Sequence, residues 1–307
     1  MTEARATADT TTDTTTDIAT TDGTTPAPEP IAPEPIAPEP PEREHAAWRA
    51  ARERELREPH GWLSPTALLW PTAEPRRLPG VPGQWWVADG RLYTRPVPGD
   101  TSVLAGGLVV RGGPTSVSVA EGRGLVLGTF LPPERSGAAG PAEQEVAVEV
   151  VRRTGRYAVR LRDPQAPTRT GFTGVPTFAY DPAWVLDAPV RWYDRPVPLT
   201  VGAAQPRLVH RVEAVGEVEV RHDHVLLLTG SLLAPRLLFT DEAEGVAPWR
   251  VVRAGVPGEM PAASDTLRLD LNRATNQPFV FTAFGTCPAP VAGNHLPFPV
   301  TAGERLP

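Results

Sequence analysis

The chain has 307 residues, a formal net charge of −6 and no lysine, so all 30 of its basic residues are arginine. Pyridoxal phosphate, P-loop and kinase chemistry each need a side-chain amine, as does biotin or lipoyl attachment, so these classes are excluded. The single cysteine, Cys287, excludes an internal disulfide and any metal site built from several thiolates. No cofactor is predicted.

The first 41 residues predict a disordered, acidic tail. Residues 7–25 are almost entirely Thr, Asp and Ala, and residues 26–41 are rich in proline with a Glu-Pro-Ile-Ala-Pro repeat, which favours polyproline II. Such a segment is either a ligand for a proline-reading module or an acidic, solubilising spacer, and the spacer is the preferred interpretation.

Charge and hydropathy indicate where the protein acts. Residues 1–44 hold ten acids and two arginines, so the rest of the chain is nearly neutral, which disfavours a nucleic-acid partner. No signal peptide and no run of 18 apolar residues is visible, so no membrane partner is expected and the cytoplasm is the predicted location. The oligomeric state stays open.

One N-terminal helix is predicted over about residues 42–58. Pro41 lies at its start, acids fill its first turn, and Pro59-His60-Gly61 ends it. Its apolar stripe, Trp48 and Leu56, is narrow, so we expect the helix to pack on the surface of the domain.

After residue 62 the hydrophobic period is two. Tyr157, Val159 and Leu161, for example, alternate with arginines, which indicates half-buried antiparallel strands. The predicted fold class is all-β, a sandwich or irregular barrel of many short strands. Residues 42–307 form either a single β-rich domain or two β subdomains that meet near 196–206. Predicted strands lie near 84–88, 91–95, 107–111, 116–119, 125–130, 145–151, 156–162, 185–193, 197–201, 207–213, 217–220, 224–229, 232–239, 249–253, 266–271 and 279–283.

Histidine and cysteine offer weak catalytic signals. His222 and His224 would share a strand face and could bind a metal, but Asp223 between them is typical of a hairpin tip, so no metal site is predicted. His210 is interpreted as a hydrogen-bonded core residue. Cys287 is interpreted as a buried, inert thiol rather than a nucleophile.

The C-terminal segment is the richest in polar groups. Its carboxylates, amides and guanidinium lie among four phenylalanines, so each must find a hydrogen bond. Either they order a long loop, with Arg273 bonded to Asp270, Asp241 or Glu304, or they line a pocket for a polar ligand. The polar residues are Asp270, Asn272, Arg273, Asn276, Asn294 and Glu304.

This segment resembles the C-terminal hallmark of the domain of unknown function 1684 family, which occurs in bacteria and some archaea. Gly61-Trp-Leu-Ser64 resembles the family's N-terminal element, and Phe239-Thr-Asp241 with Gly245 and Arg253 resembles a second one. The chain departs from the pattern at Phe279, where the family has a cysteine, and at Trp249-Arg-Val-Val252, where it has Tyr followed by glycines. The C-terminal matches are Asp270, Asn272, Arg273, Ala274, Asn276, Pro278, Phe281, Cys287, Pro288, Pro290, Asn294, Leu296, Ala302, Gly303 and Glu304.

Three functions follow as hypotheses. The first is binding of a small polar or anionic molecule by Asp241, Arg253, Asp270, Asn272, Arg273, Asn276, Asn294 and Glu304. The second is an enzyme with Asp270 or Asp241 as general acid or base and Arg273 stabilising negative charge. The third is a scaffold that recruits a partner through the proline-rich tail.

Overall fold

The computed structural model describes residues 41–98, 100, 104, 113–135, 144–221, 223–255 and 264–307. It confirms the all-β prediction, since the strands form three antiparallel sheets in a sandwich-like arrangement. The strands are β1 Pro65–Leu69, β2 Arg76–Arg77, β3 Gln84–Ala88, β4 Arg91–Arg95, β5 Thr115–Val117, β6 Gly124–Phe130, β7 Val146–Arg153, β8 Arg156–Arg162, β9 Val185–Gly202, β10 Val209–Val220, β11 His224–Ser231, β12 Ala234–Phe239, β13 Arg250–Arg253, β14 Thr266–Asp270 and β15 Thr275–Asn276. The helices are α1 Pro41–Leu56 and α2 Pro167–Thr170.

Two four-stranded sheets share the first hydrophobic core. Their strand orders are β1-β8-β7-β6 and β2-β3-β4-β5. Trp85 of β3 is fully buried between them, against inward-facing residues such as Leu127 and Val148. Alternation along each strand places the apolar residues on this shared face.

A seven-stranded sheet, ordered β14-β9-β10-β11-β12-β13-β15, encloses the second core. Phe239 of β12, Val252 of β13 and Leu269 of β14 point into this core. The two ends of the sheet approach each other, because Gly255 donates its N–H to the carbonyl of Arg268 at 2.9 Å. No ladder joins β13 to β14 among the described strands, so this sheet is not a closed barrel.

The last residue of the first core along the chain is Leu161, and the first residue of the second core is Trp184. This division lies upstream of the 196–206 region where the sequence suggested that subdomains meet. The physical reason is that β9 runs unbroken for 18 residues through that region, uniting the predicted strands 185–193 and 197–201. Residues 39–307 nevertheless form one compact unit.

Helix α1 begins one residue before the predicted start and ends two residues before the predicted end. Its buried residues are His45 and Leu56, and Leu56 packs with Leu63 and Val175 in a small satellite cluster. No described helix is both long enough and apolar enough to cross a bilayer.

Some sequence predictions differ from the structure or fall outside it. Residues 279–283 are not a strand, because Pro278 begins a 3-10 turn over Pro278–Val280. Strands β1 and β2 had not been predicted. The predicted strand at 107–111 lies outside the described residues, as does the tail apart from Pro41.

A buried ionic cluster ties α1's end to the first core. Glu149 of β7 accepts hydrogen bonds from Arg160 at 3.0 Å and Arg162 at 2.8 Å, and the ring of Trp62 lies against both guanidinium groups. Arg162 also donates to the carbonyls of His60 and Gly61. Burial raises the pKa of Glu149, but the two arginines more than offset that rise, so its pKa lies below the ordinary 4.5.

We predict that Glu149→Gln destabilises the fold by about 3–5 kcal/mol, because it leaves two buried guanidinium groups without a counter-charge. A carboxylate with a lowered pKa in the folded state stabilises the protein above its unfolded pKa, and this stabilisation is lost as pH falls. Denaturant unfolding of the wild type should therefore show stability falling below about pH 4.5, and the variant should show a flatter profile.

The matched control is Glu213→Gln on the exposed edge of β10. It should change the free energy of unfolding by less than about 0.5 kcal/mol. Equal losses in the two variants would contradict the proposed role of the Glu149 cluster.

Candidate functional site

Arg250 is the buried centre of the C-terminal half. Its guanidinium bonds Asp241 at 2.7 Å and the carbonyl of Val300 at 2.9 Å, and it also donates to the carbonyls of Ala302 and Glu304. The side chains of Arg250 and Asp241 are 0% and 2% exposed. Asp241 also accepts backbone N–H bonds from Ala243 and Val300, so its carboxylate is fully engaged inside the protein.

Glu304 connects helix α1 to β15. One of its carboxylate oxygens accepts from Arg52 at 3.2 Å and the other from the Asn276 N–H at 2.6 Å. Arg52 donates in addition to the Asn276 carbonyl at 3.1 Å. Burial raises the pKa of Glu304, against the opposing effects of Arg52 and the Asn276 N–H.

The chain around Gly303 approaches β15 closely. Gly303 has a φ of +78°, and a Cβ at this position would lie 2.5 Å from the carbonyl oxygen of Ala274. Only glycine fits such a position. The next N–H, from Glu304, donates to that same carbonyl at 2.8 Å, so the Ala-Gly-Glu sequence places the Glu304 carboxylate beneath α1.

Asn272 and Asn294 also form internal bonds. The Asn272 side chain exchanges two hydrogen bonds with the backbone of Asp181, and the backbone carbonyl of Asn272 accepts from His45 Nε2 of α1. The Asn294 amide bonds the backbone of Leu227 and Leu238, and so joins β11 to β12. These contacts account for the burial of both residues without a ligand.

An open cleft of about 820 Å³ lies between α1 and the outer face of the seven-stranded sheet. Helix residues at positions 44, 48, 52 and 55 follow one helical face and form its wall. The full lining is Glu44, Trp48, Arg52, Glu55, Arg236, Val251, Arg253, Gly255, Arg268, Asp270, Arg273 and Thr275.

The acidic side chains of the cleft already have cationic partners. Arg273 lies 2.5 Å from Glu44 and 3.1 Å from Asp270, and Arg52 lies 3.8 Å from Glu55. Three further arginines complete the lining: Arg236, Arg253 and Arg268. No hydrogen bond or ion pair joins their guanidinium groups to any residue in the described part of the chain.

Arg236 and Arg253 are direct cross-strand partners on β12 and β13. Like charges in directly opposed positions destabilise a sheet by a few tenths of a kcal/mol to about 1 kcal/mol. The fold therefore keeps an unfavourable pair of cations at the floor of a cleft, where an anion would relieve it.

Of the eight site residues expected from the sequence, Arg253, Asp270 and Arg273 line this cleft. Asp270 is partly engaged, because one of its oxygens accepts two bonds from Asn272 and the other faces Arg273. The other five lie away from the cleft lining and are held by the internal contacts described above. They are Asp241, Asn272, Asn276, Asn294 and Glu304.

Cys287 and His210, which were weak catalytic candidates in the sequence, occupy structural positions. Burial raises the pKa of the Cys287 thiol to about 11, which keeps it neutral near pH 7. His210 donates from Nε2 to the carbonyl of Thr286, and burial lowers its pKa. Asp223 occupies the loop between β10 and β11 with a φ of +63°, and His222 is outside the described residues. Within the described ranges, no three His, Cys, Asp or Glu side chains are grouped to hold a metal ion.

Sequence reasoning missed Arg52, Arg236, Arg250 and Arg268. Arg250 had a usable signal, because it shares the inward-facing period of Val252 on the same strand. Arg236 and Arg268 also follow that period, on the outward faces of their strands, but the period alone does not reveal that α1 forms a wall above them.

We predict that Asp241→Asn lowers the free energy of unfolding by about 3–5 kcal/mol, because it leaves the Arg250 charge buried and unpaired. Chemical denaturation monitored by tryptophan fluorescence measures the change. If Asp241 is purely architectural, the variant protein that remains folded should keep the binding properties of the wild type.

The control for this experiment is Asp194→Asn, which removes the charge of an exposed aspartate on β9. Its unfolding free energy should stay within about 0.5 kcal/mol of the wild type. A folded, stable Asp241→Asn protein with altered ligand binding would instead make Asp241 part of the site.

Comparison with known proteins gives a family but no activity. Residues 170–305 match the family described as "Protein of unknown function (DUF1684)". No curated protein matches the chain. One similar solved structure is the solution NMR structure of an uncharacterized protein from gene locus rrnAC0354 of Haloarcula marismortui, at 22% identity and a TM-score of 0.37 over 45% of this chain and 78% of that one. The family match begins just before the second core, and it confirms the resemblance to the domain of unknown function 1684 family that the sequence indicated.

Proposed function

We propose that this protein binds a small anionic molecule in the cleft between α1 and strands β12–β14. The observation that carries the proposal is the placement of Arg236, Arg253 and Arg268 around one cleft without a described carboxylate partner. Guanidinium groups recognise carboxylate and phosphate oxygens through paired N–H donors.

The size and walls of the cleft suit a small ligand. Its volume of about 820 Å³ falls in the range of small-molecule sites. The cationic floor lies on a sheet, and the wall is a helix held by Arg52–Glu304 and His45–Asn272 bonds, so the binding groups stand on rigid elements.

The enzyme hypothesis names two carboxylates as general acid or base, and one of them lies in this cleft. Asp270 reaches the lining, whereas Asp241 does not. The Asp270 carboxylate lies 3.1 Å from Arg273, the residue that would stabilise negative charge in this hypothesis. Binding of an anion next to Asp270 is required by this hypothesis as well, so binding is the property to test first.

We predict that Arg253→Gln weakens binding of inorganic phosphate and citrate at least tenfold, because a hydrogen bond to a charged group contributes about 1.5–3 kcal/mol. The same change should leave the anion-free protein as stable as the wild type, or more stable by about 0.2–1 kcal/mol, since it removes a like-charge pair. Isothermal titration at low salt and denaturant unfolding measure the two effects.

Arg211→Gln is the matched control, because Arg211 is an exposed strand arginine on β10 outside the cleft. It should leave both dissociation constants unchanged. Equal weakening in the two variants would mean that general charge, not the cleft, attracts the anions, and no binding by the wild type would refute the proposal.

A further inference from the structure

The distribution of charge and apolar surface along β13 narrows the class of ligand, given the proposed anion-binding function. Val251 and Arg253 are two residues apart on one strand and share its outer face, which separates them by about 6.6 Å. Val251 pairs with Thr275 of β15, and Arg253 pairs with Arg236 of β12. Along β13, the floor of the cleft therefore changes from an apolar and a hydroxyl side chain to two opposed cations.

The side chains that line the cleft carry a net positive charge greater than one. The lining contains five arginines and three carboxylates, which leaves an excess of two positive charges. The three carboxylates share Arg52 and Arg273 and form a group of net charge −1, so the positive charge of the lining comes from Arg236, Arg253 and Arg268. A single carboxylate would neutralise half of this excess, whereas a phosphate monoester carries about −1.5 to −2 at pH 7 and three acceptor oxygens.

The lining also offers a surface for an organic group. The half-buried ring of Trp48 lines the cleft, and its orientation is set by stacking on His45 at 5.5 Å and by the Arg273 guanidinium at 5.8 Å. Together with Val251 it provides apolar contact area next to the cations. An inorganic ion would leave this surface unused.

We propose that the ligand is an organic phosphate monoester, with its phosphate group on Arg236, Arg253 and Arg268 and its organic group against Val251 and Trp48. The shared face of β13 places these two subsites within the reach of one small molecule. Phenyl phosphate is the simplest probe, because inorganic phosphate reports on the first subsite alone and benzoate presents the same ring on a carboxylate.

The test is isothermal titration of the full chain at pH 7.5 and low salt with the three probes. We expect phenyl phosphate to bind at least tenfold tighter than either inorganic phosphate or benzoate. Arg253→Gln should weaken phenyl phosphate and inorganic phosphate by similar factors. Trp48→Ala should reduce the advantage of phenyl phosphate over inorganic phosphate at least threefold without changing the binding of inorganic phosphate.

Trp48 packs against His45, so Val251→Thr serves as a second variant that nearly preserves shape, and it should reduce the same advantage. Arg211→Gln again controls for general charge. If inorganic phosphate binds through Arg253 but phenyl phosphate binds no tighter, this inference is wrong and the proposed anion site stands. If benzoate equals phenyl phosphate, the ligand class is a carboxylate and the inference is overturned. If none of the probes binds, the proposed anion-binding function is refuted, and the inference that rests on it is refuted as well.

Discussion

The Arg250–Asp241 ion pair is the constraint on which the C-terminal half depends. A guanidinium with no solvent exposure needs partners inside the protein, and here it binds the Asp241 carboxylate and the backbone carbonyls of Val300 and Ala302. This interaction brings the Ala302-Gly303-Glu304 segment against β15. The Glu304 carboxylate can then reach Arg52 and hold α1 over the sheet.

Most residues of the C-terminal family motif therefore have a structural role around the cleft. Asn272 and Asn276 bond backbone groups across segments, and Gly303 allows a contact that any side chain would block. These residues support the wall and floor of the cleft without lining it. The proposed binding function instead depends on exposed side chains such as Arg236 and Arg268, which lie outside the motif.

In the proposed site, stability and anion binding impose opposite demands on the arginines at the floor of the cleft. Directly opposed arginines disfavour the pairing of β12 with β13, whereas the buried Arg250 of β13 has a carboxylate partner in Asp241. Proteins tolerate such local conflict where a ligand relieves it, and their stability is made up elsewhere. In this lysine-free chain, the buried arginines with a carboxylate partner are structural, and our proposal assigns binding to the arginines of the cleft that have none in the described part of the chain.

The sequence alone determined the all-β class, α1 and most strand positions, because the period of two and the helix end signals are local. It also indicated that Asp270 and Arg273 belong to an important polar segment, and the family resemblance added Arg253. Only the tertiary structure decided which polar groups face inward, since the partners of Arg250 and Glu304 lie far away along the chain. The cleft is likewise a product of long-range packing, because it exists only once residues near 50 are laid across strands near 236, 253 and 268.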